Sequence, residues 1–172
     1  MKKIIFVDAI HKLPILTLQN IRIDDRELGT YNCDVIVKTL NFSAKIDNSF
    51  LTEKQLIIFR NSLKLLLSSE LKNCNVELKQ FEQDFTVLLG NNSAGDHYSV
   101  GGDQYLKMKL FIRDIEYGEM RILTVIDKNL IDDVIKSIET IEPISEDIWN
   151  YNNEELRNLS LKQLIDIQNK NK

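Results

Sequence analysis

The stretch that decides the fold runs from Tyr105 to Ile141: YLKMKLFIRD (105–114), IEYGE (115–119), MRILTVID (120–127), Lys128, then NLIDDVIKSIETI (129–141). Leu106, Met108, Leu110 and Ile112 alternate with Lys107, Lys109 and Arg113. That period of two is the mark of an antiparallel strand with one wet face. Met120, Ile122, Thr124 and Ile126 repeat it after a turn at Tyr117-Gly118. The period then changes: Leu130, Ile131, Val134, Ile135, Ile138 and Ile141 recur at helical spacing, with Asp127 or Asn129 placed to cap the helix. A hairpin leading straight into an amphipathic helix points to an α+β fold.

Working upstream, Val76 and Leu78, then Phe85, Val87 and Leu89, alternate on either side of FEQD (81–84), which predicts a meander into the hairpin. Before it lies the best-specified helix start in the chain. Thr52 and Gln55 have the spacing of a capping box, and Leu51 and Leu56 that of a hydrophobic staple. Leu56, Phe59, Leu63, Leu66 and Leu67 then form one apolar stripe reaching to about Leu71. Residues 33–46 read as one long strand. Its apolar phase inverts between Val35/Val37 and Leu40/Phe42/Ala44/Ile46, so a β-bulge near Thr39 is expected, in preference to two strands meeting at a bend. Ile4–Val7 and residues 15–23 are further strand candidates, with Pro14 suited to the first position of an edge strand.

Downstream, Pro143 ends the helical stripe. Ser160 and Gln163 repeat the capping-box spacing, flanked by Leu159 and Leu164. Short C-terminal helices are expected to pack through Trp149, Leu156, Leu159, Leu164 and Ile165. The expected architecture is therefore a single α+β domain over 1–172. Its core, 15–141, is a mostly antiparallel meander sheet packed on two main amphipathic helices, and 142–172 is a helical appendage.

The 172 residues carry 22 basic and 26 acidic side chains, a net charge of −4, with 43% hydrophobic residues. This is an ordinary balance for a soluble protein and argues against direct nucleic-acid binding, which favours a basic face. MKKIIFVDAIH at the start is interrupted by Asp8, so it reads as a strand and not as a signal peptide. No apolar run approaches the roughly 18 residues of a membrane span. The expectation is a cytoplasmic protein without membrane contact. Cys33 and Cys74 stand alone, with no CxxC, and read as reduced, half-buried thiols; they could bridge only if the fold brought them together.

No catalytic constellation emerges. GNNSAGDH (90–97) lacks the Gly-Lys-Ser/Thr ending of a phosphate loop. His97 with Asp96 or Asp103 is the one conceivable general-base set, for a small hydrolase, and it is better read as a hydrogen-bonding histidine at a strand head. His11 is distant in sequence and no His-x-x-x-His spacing exists, so neither a metal site nor a cofactor is expected. The paired acids, Asp24/Asp25 among them, fall in loops or at helix starts.

The order of elements resembles the WapI-like immunity family of polymorphic, contact-dependent toxin systems. The residues that carry the resemblance are VKTLNFSAKI (37–46), the helix with Leu56-Ile57-Ile58-Phe59 leading to Leu63 and Leu66, and NVELKQFEQDFTVLL (75–89). To these add GDHYSVGG (95–102), MKLFIRD (108–114) and EMRILTVIDKNLIDDVIKSI (119–138). Before its final helix that family has an acidic residue, a glutamine and then a leucine. Asp127 and Leu130 match, and Lys128 stands where the glutamine would be. Tyr31-Asn32-Cys33 replaces the tryptophans often found before the early strand. The resemblance covers about residues 15–141. It implies a bacterial, non-enzymatic inhibitor that binds a cognate protein toxin, in several family cases a ribonuclease attacking tRNA. For such a role Asp24, Asp25 and Glu27 are the candidate steering charges, and Tyr31, Tyr98, Tyr105 and Tyr117 the candidate anchors. The alternative is a structural or regulatory interaction module that assembles through the C-terminal helices. Self-association is possible but nothing in the sequence indicates it.

Overall fold

The computed structural model describes residues 2–68, 75–79, 85–91, 105–114 and 118–170. Four strands precede the first helix: β1 (Lys3–Val7), β2 (Pro14–Asp25), β3 (Thr30–Lys38) and β4 (Ser43–Thr52). They form one antiparallel sheet in sequence order. Helix α1 (Glu53–Leu67) leads to a second antiparallel sheet, β5 (Asn75–Lys79), β6 (Phe85–Asn91), β7 (Tyr105–Asp114) and β8 (Gly118–Asp127), again in sequence order. The expected meander is thus realised as two meanders. Their facing edge strands, β1 and β8, touch through an isolated bridge between Asp8 and Ile126 and a bond from Ala9 N to Val125 O, 2.8 Å.

Helix α1 begins where the sequence places it. Thr52 Oγ1 accepts from Gln55 N at 3.2 Å, and Gln55 Oε1 accepts from Thr52 N at 3.1 Å. After β8, Asp127 Oδ1 accepts from Asn129 N and caps a 3-10 turn, Lys128–Leu130, that runs into α2 (Ile131–Glu139). The stripes of α1 and α2 are buried against the inward faces of both sheets in one core. Phe6 of β1 meets Phe59 of α1 with ring centroids 6.3 Å apart. Ile4 and Phe6 are fully buried, so the core starts before residue 15.

Three strand expectations are corrected. Residues 33–46 are not one bulged strand: β3 and β4 are a hairpin, closed by Thr39 N donating to Phe42 O at 2.8 Å. The phase inversion marks a chain reversal. Bulges occur elsewhere, at Asn20 in β2 and at Asn48 in β4, both with φ of 58°. Asparagine tolerates this left-handed conformation better than most side chains. The two bulges flank Asp34, whose Oδ2 accepts from Asn20 Nδ2 at 2.7 Å. The first bulge also switches the buried phase of β2 from Leu16 and Leu18 to Ile21. Pro14 does open β2, but that strand is internal; the proline pairs with Val7 where the β1 register shifts.

The C-terminal segment forms α3 (Glu146–Trp149), α4 (Asn153–Asn158) and α5 (Leu161–Lys170). Ile148 and Leu156 pack on Ile57 of α1, with Trp149, Leu159 and Leu164 at the margin; Ile167 takes the place expected for Ile165. The Ser160–Gln163 capping box forms, and a second one, Asn152–Glu155, starts α4.

Candidate functional site

The first residue of α1 organises one end of the molecule. Glu53 is 1% exposed, yet it follows the N-cap, where the helix dipole favours a carboxylate. Its Oε1 accepts from Ile144 N at 2.6 Å, Ser145 N at 3.2 Å and Trp149 Nε1 at 2.6 Å. The Tyr31 hydroxyl lies 3.3 Å from the same oxygen and donates over 2.7 Å to the Glu142 carbonyl. Strand β3, helix α1 and the chain after α2 are therefore tied at one carboxylate. Arg60 completes the tie: its guanidinium sits 5.0 Å over the Trp149 ring and donates to Trp149 O at 2.9 Å. Burial lowers its proton affinity below that of an exposed arginine.

This knot places two acidic stretches side by side. The β2–β3 turn carries Asp24, Asp25 and Glu27, with Leu28 exposed at its tip. Asp25 Oδ1 accepts from Glu27 N at 2.7 Å and Leu28 N at 3.0 Å, which shapes the turn. Glu139, the last residue of α2, and Glu142, Glu146 and Asp147 of the segment after it are exposed. Arg26 joins the two by reaching Glu142 Oε1 at 3.1 Å. The carboxylates at this end outnumber the cations described beside them, Arg26, Arg60, Lys64 and Lys136; Lys64 pairs with Glu139 at 2.6 Å. The arrangement is an acidic surface with an apolar tip.

The sequence-derived candidates separate on this structure. Asp24, Asp25 and Glu27 fall on that surface. Tyr31 does not: it is 1% exposed, so it is no anchor for a partner, and its side chain is a core element. Burial, then the Glu53 charge beside it, pushes the phenol well above its ordinary range, so its proton stays available to Glu142 O. Tyr105 is half-buried at the start of β7, paired with Asp127 of β8, and belongs to the second sheet, not to the β2–β3 turn. Tyr98, Tyr117, and the proposed base His97 with Asp96 and Asp103, lie outside the described residues. So does Cys74, whereas Cys33 is free and fully buried instead of half-buried.

Sequence reasoning missed a second constellation, at the seam between the sheets. Asp8, buried at the end of β1, receives Thr124 Oγ1 at 2.5 Å and Ile10 N at 3.4 Å on Oδ1. Its Oδ2 takes His11 N at 2.8 Å and the His11 ring Nδ1 at 2.6 Å. Burial opposes the charge on Asp8, but the donors from Thr124 and His11 outweigh it and hold the carboxyl below its ordinary range. The signal for this site was the acid that interrupts an apolar strand three residues before a histidine. Its partner on β8, 116 residues away, left no trace in the sequence. Among the described residues no group of three His, Cys, Asp or Glu side chains is placed to hold a metal, and no helix is long and apolar enough to cross a membrane.

Fold and site together define an α+β protein with an acidic surface. No family model, no curated protein and no solved structure matches the chain.

Proposed function

We propose that the chain is a non-enzymatic immunity protein that binds a cognate toxin domain and neutralises it. The observation that carries the reading is the acidic surface, built from the β2–β3 turn and the segment after α2, with Leu28 at its tip. Such a surface steers a basic partner, and a nuclease domain is the kind of toxin that is basic. A preformed patch burying about 800 Å² per partner is enough for a stable complex. The resemblance of the element order to that of the WapI-like immunity family supports the same reading. A module assembling through its C-terminal helices has less support, because Ile148 and Leu156 are already buried against Ile57.

Coexpression with the toxin encoded beside this chain should yield a complex that copurifies and restores growth. Asp24→Lys with Glu27→Lys, leaving the turn-shaping Asp25 in place, should slow association about tenfold or more at low salt and weaken its salt dependence. A complex formed with no neighbouring toxin, or one indifferent to both salt and charge reversal, would overturn the proposal.

A further inference from the structure

At the opposite end of β3 from the acidic turn, the seam between the two sheets opens into a cleft of about 220 Å³. Leu13, Ile15 and Ile122 line it, and Leu40 and Leu123, 64% and 73% exposed, form its lips. Its polar lining is Asp8, His11, Lys38, Thr39, Asn41 and Thr124.

These groups are not equivalent. Asp8 is the only carboxylate among the described residues of the lining, and both its oxygens are taken by the four donors named above. Thr124 has its proton on Asp8. With Nδ1 of His11 donating to Asp8, Nε2 of the neutral ring is an acceptor and offers an anion no donor. Lys38 makes no ion pair among the described residues. The donors that remain are the Lys38 ammonium, the Asn41 amide nitrogen and the Thr39 hydroxyl. A donor-rich rim over apolar walls calls for an acceptor-rich anion on a hydrocarbon body. The volume lies below the roughly 300 Å³ at which pockets begin to hold drug-sized ligands, so one ring or a short branched chain fills it. The lips gain by being covered.

We propose that this cleft binds a small organic monocarboxylate, its carboxylate facing Lys38, Thr39 and Asn41 and its hydrocarbon between Ile15, Ile122 and the two leucine lips. The site stands on residues separate from the acidic surface, so it holds or fails independently of the toxin reading.

The test is a titration of the isotope-labelled full chain, followed by amide chemical shifts, with phenylacetate and with phenylacetamide, its neutral analogue. Phenylacetate should produce saturable shifts confined to residues 8–13, 38–41 and 122–124, and should bind about tenfold tighter than the amide. Lys38→Met, on an exposed side chain, should abolish that preference without lowering the melting temperature, and Leu123→Ser should weaken both ligands alike. Absence of saturable shifts in this cleft, equal binding of acid and amide, or an unchanged preference in Lys38→Met would overturn the assignment.

Discussion

Replacing Glu53 by alanine removes one acceptor that three described donors share: Ile144 N and Ser145 N, both buried, and the half-buried Trp149 Nε1. A buried donor left unpaired costs about 1–3 kcal/mol, and bonds to a charged acceptor lie in the upper part of that range. Relaxation of the exposed end of the 142–149 segment reduces the sum, so a loss of about 3 kcal/mol is expected. For a chain of this size that is a fall of about 6–12 °C in melting temperature. Glu53→Gln keeps one acceptor oxygen and the volume but loses the charge, and should cost about 1–2 kcal/mol. Trp149 is the only tryptophan, so its emission reports on the knot directly. In Glu53→Ala it should shift to the red under conditions where the sheets remain folded by circular dichroism. An alanine variant with native emission and an unchanged urea midpoint would refute the claim that this carboxylate holds the C-terminal segment.

Asn20→Ala should destabilise by about 2 kcal/mol, from left-handed strain and the lost bond to Asp34, whereas Asn20→Gly should cost only about 1 kcal/mol; urea denaturation separates the two. Asp8 is held below its ordinary range, so its contribution is present above the unfolded carboxyl value, near pH 4, and is lost as pH falls through the folded value. Asp8→Asn should therefore flatten the stability profile below about pH 4 while lowering it at neutral pH, which acid titration followed by circular dichroism will show. Burial, then the neighbouring Asp34, pushes the Cys33 thiol up to about 12. In a Cys74→Ser background, Cys33 should resist a thiol reagent at pH 8 until the chain is unfolded, and prompt labelling of the native protein would contradict its position in the core.

What the sequence determined by itself was local. The capping boxes at Thr52 and Ser160 and the stripes of α1 and α2 depend on neighbours three or four residues away. The alternating faces of β5 to β8 depend on neighbours two residues away. All of these were legible because helical and strand periods are written in consecutive residues. The β3–β4 reversal was not, since Thr39–Phe42 has no glycine or proline to announce a turn and the same phase inversion suits a bulge. The acids of the β2–β3 turn were recognisable as acids, but their convergence with Glu139–Asp147 depends on Glu53, a residue that reads as an unremarkable position in a capping box. Tyr31, read as a surface anchor, became core because a buried carbonyl and carboxylate awaited its hydroxyl from the far side of the chain. The Asp8–His11–Thr124 seam joins residues 116 apart. Both sites rest on bonds closed between distant segments, and only the packed fold decides which distant groups meet.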